Sequence, residues 1–408
     1  MSAPALPGSW SGAIVICAAN RWEVAQFADR RLAESLAAHV PVVYVDPPMS
    51  VLTPLRRPEA RRALEGPRLR AAGPNLARLT PVVLPGPQRP GMSVLTGAIA
   101  RRALRHAVRA LGGEVRAVVD ANPLTGMTGV SGERTMVFWA QDDFTANAEH
   151  TGVSPDRVRR AETRMACGAD VVVAANPIVE ERWRRRGLRT ALIPFGCDHE
   201  LFTHADDLPA PPGIRLPAPI AGFAGGLTAH RVDVRLLEAV ADRGLSLLLV
   251  GPRDRRAPLP GLDRLLERPN VQWVGERPFE EMPSWLGAVD VGLVPYLDTA
   301  FNRGSFPLKT LEYLAAGRAV VATDLPAIRW LDTDLVEIAG EPDAYAGAVA
   351  RALAQPRTPA SVSRRRAFAA THSWSVRAGA WLDLLPPLTG EHRSPASGAG
   401  GGTPAGAS

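Results

Sequence analysis

Lysine is almost missing from this 408-residue chain: of its 47 basic residues, one is a lysine, Lys309, and 46 are arginines. A compact ammonium is not interchangeable with a planar guanidinium, so the single surviving lysine marks its position for attention. Cysteine is scarce too. Cys17, Cys167 and Cys197 are odd in number, far apart and without metal-ligand spacing, which argues against a disulfide framework or a structural zinc and leaves reduced thiols. No run of 18 or more apolar residues occurs, so no membrane span is expected. The start of the chain lacks a basic-then-apolar leader pattern, which makes the cytoplasm the expected compartment. Aromatic residues are 6% of the chain and do not interleave with the arginines as a base-stacking platform requires. With no helix-turn-helix or zinc-finger spacing either, nucleic acid is not an expected partner.

What is present is enough apolar material, 46%, to fill the cores of two domains. The net charge of +6 comes from arginine clusters at Arg56 to Arg70, Arg101 to Arg109 and Arg182 to Arg189, all in the first half. Such clusters suit ordinary solvated helix faces. They equally suit anionic head groups, which would place the Arg-rich first half against the inner face of a membrane as a peripheral contact.

Apolar runs at Ala13 to Cys17 and Val42 to Val45 flank a helical pattern from Val24 to Ala38, a strand, helix, strand unit that implies a parallel sheet. The alternation continues through Leu79 to Leu84, Val94 to Leu111, Ala117 to Val119, Thr135 to Trp139, Pro155 to Cys167, Val171 to Ala174 and Thr190 to Ile193. In open parallel sheets ligands lie off the carboxyl ends of the strands. Asn20, Trp22 and Gln26, after the first strand, and Asp142 with Asp143, after Trp139, are therefore candidates for one site. Trp22 is equally suited to covering a helix, and the aspartates to capping the next segment.

Residues 206–219 contain five prolines and read as a semi-rigid connector. It divides a short flexible start (1–12) and a first domain (13–205) from a second domain (220–372). A final amphipathic helix (373–388) and a Gly, Ser, Pro and Ala tail (389–408) complete the expected organisation. In the second domain Ile220 to Ala224 runs into Gly225 and Gly226, which would let a phosphate approach the backbone and the next helix start. Ser246 to Val250 ends in Gly251, Val271 to Val274 in Gly275-Glu276-Arg277, and Val289 to Val294 in Pro295-Tyr296. Four strand ends thus converge on one crevice. Asp332-Thr333-Asp334 has a metal-binding spacing, but two aspartates beside Trp330 read as turn formers, and no metal is expected.

The densest signal is Gly304 to Gly317, a loop and short helix, followed by the buried run Ala319 to Thr323. Ser305 or Phe306 can cap, Pro307 suits the first turn and Gly317 a left-handed stop. Leu308, Leu311, Leu314 and Ala315 form an apolar stripe, while Lys309, Glu312 and Tyr313 share another face. A helix start already favours an anion, and Lys309 adds a full positive charge there.

The residues Phe306-Pro307-Leu308-Lys309-x-x-Glu312-Tyr313-x-Ala315-x-Gly317, then Val320-Val321-Ala322-Thr323-Asp324, resemble the nucleotide-sugar helix of GT-B glycosyltransferases in the large retaining family, and within it the teichuronic-acid-type group. Pro194 to Phe202 is similar to that family's strand-to-linker signature, with Phe195 where an asparagine is usual. The resemblance spans about residues 13 to 385. It implies an α/β fold of two Rossmann-like doubly wound parallel-sheet domains facing a cleft.

It also implies a hexosyltransferase-type enzyme that needs no metal or separate cofactor. Such an enzyme moves a sugar with retention from a nucleoside-diphosphate donor to a glycan or lipid-linked acceptor. Glu312 would hold the donor ribose, and Ser305, Phe306, Leu308 and Lys309 would face the diphosphate together with Arg231. Gly275 and Arg277 would meet the nucleobase, with Gly225, Gly226, Gly251 and Tyr296 completing the donor site. Asn20, Trp22, Gln26, Asp142 and Asp143 would face the acceptor. Catalysis would fall to Lys309, Arg231 and Asp142. The sequence departs from the family pattern at Gly226 (usually arginine), Arg231 (usually lysine), Trp139 (an aspartate in some members) and Gly304, where a second glutamate often stands eight residues before the first. Two further readings fit the same motif: a nucleotide-sugar epimerase or hydrolase on this fold, and a non-catalytic nucleotide-binding protein.

Overall fold

Short Val- and Ile-rich runs that are apolar on both faces become strands buried on both sides, the signature of a parallel sheet covered by helices. The computed structural model describes residues 8–23, 28–56, 61, 66–86, 89, 91–254 and 258–387, and these carry two such sheets.

The first half runs β1 (Ala13–Cys17), α1 (Ala28–Ala37), β2 (Val42–Val45), β3 (Met49–Ser50), α2 (Thr53–Arg56), β4 (Leu69–Gly73), β5 (Leu76–Leu79), β6 (Val82–Val83), α3 (Met92–Leu111), β7 (Val115–Asp120), β8 (Thr135–Ala140), α4 (Phe144–Thr151), α5 (Pro155–Gly168), β9 (Val171–Ala174), α6 (Pro177–Arg184), β10 (Thr190–Leu192) and α7 (His199–Thr203). Eight of these strands form one sheet in the order β10-β9-β8-β7-β1-β2-β5-β4, parallel except for the β4–β5 hairpin. The short β3 and β6 pair separately.

The second half runs β11 (Ile220–Ala224), α8 (Val234–Asp242), β12 (Ser246–Val250), α9 (Leu262–Leu266), β13 (Val271–Trp273), α10 (Met282–Gly287), β14 (Val291–Val294), α11 (Ala300–Arg303), α12 (Leu308–Ala315), β15 (Ala319–Ala322), α13 (Pro326–Trp330), β16 (Val336–Ile338), α14 (Pro342–Ala354), α15 (Pro359–Ala370) and α16 (Trp374–Leu384). Its six-stranded sheet, β13-β12-β11-β14-β15-β16, is wholly parallel. Both sheets reverse direction beside their first strand, at β1/β7 and at β11/β14. Those reversals are where a doubly wound sheet opens a crevice for a ligand.

Two local readings of the sequence need correction. The run Leu79 to Leu84 is split between β5 and β6 at Thr80 and Pro81, where the proline has no N–H to donate and the Thr80 hydroxyl donates to Asp46 (2.7 Å). The β4–β5 hairpin, turning at Asn75 with φ 52°, carries no sequence alternation that announced it. The expected helix start at Val24, Gln26 and the tail from 389 lie outside the described residues.

The connector is held by charge, since Asp206 receives Arg366 (2.7 Å) and Arg357 (3.3 Å) from the second half. The last described helix returns to the first sheet. Trp381 of α16 meets Trp139 edge-on at 5.4 Å, and Arg116 donates to the carbonyls of Pro386 (2.8 Å) and Leu385 (3.0 Å) just beyond it.

Candidate active site

The second sheet builds its wall of the cleft mostly from backbone. Gly225 donates its N–H to the Val250 carbonyl and Gly251 donates to Gly275, each at 2.8 Å, so the turns after β11, β12 and β13 lie side by side. Gly251 has φ 140°, and a Cβ there would fall 2.1 Å from the Gly225 carbonyl oxygen, so neither the conformation nor the space admits a side chain. Next to these turns α12 begins, with Pro307 in the cap position and no side-chain cap on its first N–H groups. That leaves a partial positive charge facing the cleft.

Tyr313 fixes this helix start in place. Its ring fills the space over Gly292, where a Cβ would approach to 2.2 Å, and its hydroxyl accepts the Ala224 N–H at the end of β11 (2.7 Å). Tyr313 is therefore core, although it shares its side of α12 with Lys309 and Glu312.

Lys309 and Glu312 do meet in the cleft, with Nζ 2.7 Å from Oε2. Burial pulls the Lys309 pKa down, but the charge of Glu312 and its hydrogen bond outweigh that, so the ammonium is held above its ordinary value. Arg231 stands over the rings of Phe301 (4.7 Å) and Tyr296 (5.3 Å), and its carbonyl accepts from the buried Asn302 amide (3.0 Å).

The first sheet builds the opposite wall from side chains on buried carboxylates. Asp29 accepts from the Asn20 backbone N–H (3.1 Å), the Asn20 amide (2.8 Å) and the Gln141 amide, while Tyr44 donates to the Asn20 carbonyl (2.6 Å). Asn20 is thus locked where it lines the cleft. Asp120, at the end of β7, accepts from the N–H groups of Asn122 (2.9 Å) and Met127 (2.6 Å), shaping the loop that brings Asn122 to the cleft. Burial raises its pKa to about 7.

Asp142 follows the end of β8. Burial pushes its pKa up to about 6, with Arg231 and the Ser305 hydroxyl offsetting part of the cost and the neighbouring Asp143 and Asp29 charges adding to it. A carboxylate from the first half therefore sits within electrostatic reach of two groups from the second.

The walls are joined where the family's second glutamate would stand. Asn176, fully buried after β9, donates its amide to the carbonyls of Ser305 (2.6 Å) and Arg303 (3.0 Å). Gly304 between them lies so close to the first half that a Cβ would come 2.7 Å from Cβ of Asp143. A glutamate at this position would have to force the two halves apart.

The resulting cleft has a volume of about 1070 Å³. From the second half, Gly225, Gly226, Gly251, Arg231, Arg277 and Tyr296 line it, as do Ser305, Phe306, Leu308, Lys309 and Glu312; from the first, Asn20 and Asp142 do. Four sequence expectations do not reach it as foreseen. Gly275 stands behind the wall, supplying its carbonyl to Gly251. Trp22 packs edge-on against Tyr44 (5.0 Å) under the Arg30 guanidinium (4.4 Å), with its N–H on Asp46 (3.1 Å), so it covers the sheet end and not a ligand. Asp143 caps α4 through the Ala146 N–H (3.1 Å) and pairs with Arg182 (2.9 Å). Ser305 lines the cleft, but its hydroxyl donates to the Phe301 carbonyl (2.9 Å) instead of capping α12.

Gln26 lies outside the described residues. In the turn after α13, Asp334 is paired with Arg364 (2.6 Å) and Asp332 has φ 45°.

Two residues that build the cleft or join its walls had no sequence signal. Arg31 of α1 lines the cleft, bridges to Asp198 (2.9 Å) and stands over Phe279 (5.2 Å), tying both halves together beside the opening. Asn176 reads in sequence only as a cap of α6, which it also is, through the Ile178 N–H (2.7 Å).

Residues 218–355 match the family model described as Glycosyl transferases group 1. The chain is 27% identical over 233 residues to the "Putative teichuronic acid biosynthesis glycosyltransferase TuaH" of Bacillus subtilis, a match covering 53% of this chain and 57% of that protein. In fold it is similar to sucrose-phosphate synthase from Thermosynechococcus elongatus, with TM-score 0.70, 18% identity and coverage of 91% of this chain and 98% of the other. It is also similar to Anabaena HepE in complex with UDP and glucose, with TM-score 0.61, 14% identity and coverage of 92% and 98%. The chain therefore has the fold of these GT-B glycosyltransferases, and its second half carries a domain that matches the group 1 glycosyl transferases.

Proposed function

We propose that this protein transfers a sugar from a nucleoside-diphosphate donor to a glycan or lipid-linked acceptor in the cell envelope, with retention of configuration and without a metal. The observation that carries the reading is the Lys309–Glu312 pair at the uncapped start of α12, set across the cleft from Asp142 and beside Arg231. The donor diphosphate lies against the glycine turns and the α12 start, and Glu312 takes the ribose hydroxyls. Lys309, Arg231 and the partial positive charge of the α12 start stabilise the negative charge that grows on the departing diphosphate as the bond between the sugar anomeric carbon and phosphate oxygen breaks. Fixed cations and dipoles in a narrow cleft act there without waiting for solvent to reorganise. Asp142, ionised above about pH 6, orients the acceptor hydroxyl, whose oxygen forms the new bond to the anomeric carbon while its proton passes to the departing diphosphate.

The printed name of TuaH, with teichuronic acid in it, supports an envelope polymer as acceptor, and the UDP and glucose bound to HepE support a UDP-sugar as donor. The N-terminal wall is assigned to the acceptor because its functional groups are amides and carboxylates, which recognise hydroxyls. The test is turnover of UDP- and GDP-sugars with glycan and polyprenyl-linked acceptors, reading nucleoside diphosphate release and the product anomer by NMR. Acceptor-dependent release with the donor's anomeric configuration kept supports the proposal. Release of free sugar without acceptor points to the hydrolase or epimerase reading, and binding without release to the non-catalytic one.

A further inference from the structure

Ten large apolar side chains are prominently exposed among the described residues, and six of them, Val51, Leu52, Leu55, Leu84, Val94 and Leu95, lie within 45 consecutive positions of the first half. The fold gathers them. Val51 donates its N–H to Val83 (3.1 Å) as β3 pairs with β6, Leu84 follows directly, and α3, which opens with Val94 and Leu95, packs against β6. Leu55 and Val94 are the most open, at 74% and 72% exposure. Scattered exposed aliphatics are ordinary, but a contiguous group at one place is a docking surface.

Charge says what docks. Residues 51–111 hold twelve arginines and two glutamates, a net +10, whereas the whole chain is +6, so the rest of the protein sums to −4. On α3 the exposed positions Val94, Ala98, Arg102, Arg105 and Arg109 recur every three or four residues, forming one face that is apolar at its start and cationic along the rest. Arg61, Arg68 and Arg89 of the same stretch are also exposed, and among the described residues none of these arginines is ion-paired. Aliphatic side chains surrounded by unpaired arginines fit an interface of acyl chains and anionic head groups. A soluble polyanion would use the arginines but leave the aliphatics in water.

We propose that this face, Val51 to Leu55 with Leu84 and the first turn and basic stripe of α3, is the surface on which the protein docks to an anionic lipid bilayer. Among the described residues no helix is long and apolar enough to cross a membrane, so the attachment is interfacial. Pro47 lines the cleft four residues before Val51, which puts the docking face within about 14 Å of the opening along the chain. An acceptor with a lipid anchor can then reach the cleft without leaving the membrane. This extends the lipid-linked branch of the acceptor reading, but docking itself does not depend on that reading.

The experiment is sedimentation of the full chain with vesicles of phosphatidylcholine alone and of phosphatidylcholine mixed with phosphatidylglycerol. The wild type should bind the mixed vesicles and not the neutral ones. Leu52→Ser/Leu55→Ser/Val94→Ser, all exposed positions, should weaken binding at least about tenfold, and Arg102→Gln/Arg105→Gln/Arg109→Gln should weaken it and flatten its salt dependence. Unchanged nucleotide binding by calorimetry in both variants shows that they are folded and keeps this test separate from the donor assignment. The proposal is overturned if the serine variant binds the vesicles as well as the wild type. It is also overturned if wild-type binding is abolished by stoichiometric heparin while the serine variant binds heparin equally, which would mark a polyanion site, or if the serine substitutions dissociate a dimer that never binds vesicles.

Discussion

The two walls of the cleft are made of different materials. The second-half wall relies on backbone: three adjacent glycine turns, an uncapped helix start, and one lysine whose carboxylate partner keeps it charged. The first-half wall relies on side chains, held by the buried carboxylates Asp29 and Asp120 and ending in the half-buried Asp142. N–H groups and cations suit phosphate oxygens, while carboxylates and amides suit sugar hydroxyls, so the electrostatic sign changes across the cleft. The outer face of the first half around α3 is cationic, opposite in sign to the carboxylates of its own cleft wall.

The comparison is broken most severely on the phosphate side. Lys309→Ala should lower kcat/KM by about 10²–10³-fold, the scale of losing one charged stabiliser of a departing anion, while far-UV circular dichroism stays unchanged; an effect under fivefold would remove Lys309 from catalysis. On the hydroxyl side, Asp142→Asn should lower kcat by about 10–10²-fold. In the wild type, kcat/KM should fall as pH drops through about 6, where the Asp142 carboxylate takes up its proton, and this acid limb should vanish in the variant. The raised pKa also means that the native state holds this proton more tightly than the unfolded chain. Its contribution to stability is therefore lost as pH rises through about 6, and Asp142→Asn should not lower Tm at pH 8.

The junction between the walls gives a smaller, purely steric effect. Gly304→Ala should destabilise by about 1–3 kcal/mol, the range for overpacking, because its Cβ meets that of Asp143. Asp143→Gly removes the opposing atom, so in the double variant the Gly304→Ala cost should shrink, a coupling that a thermal-denaturation mutant cycle reads directly. The smallest effect expected is from chelation: EDTA should leave turnover within about twofold, since the arrangement assigns diphosphate stabilisation to protein cations.

Legibility in the sequence followed the same divide. Gly225, Gly251 and the Pro307 to Gly317 helix are constraints of local backbone geometry, and they appear in sequence as punctuation after apolar runs. The first-half wall is assembled from residues far apart in the chain, such as Asp29 with Gln141 and Asn176 with Ser305, and nothing local distinguishes them. Adjacent Asp142 and Asp143 illustrate the limit: one faces the cleft and the other caps a helix, and only the path of the chain after β8 decides which. Gly304 read as a missing carboxylate in sequence. In the structure it packs directly against Asp143 of the first half, a pair contact that no local pattern encodes. The burial of Tyr313 was not legible locally, because Gly292, the residue that makes room for its ring, lies 21 positions earlier on another element.

The most direct measurement is calorimetric titration of UDP, GDP and ADP into the wild type and into Glu312→Ala. The account predicts that one of these nucleotides binds and that Glu312→Ala weakens it at least about tenfold, the loss of a charged hydrogen-bond partner for the ribose. Failure of all three to bind the wild type, or equal affinity in the variant, would contradict it.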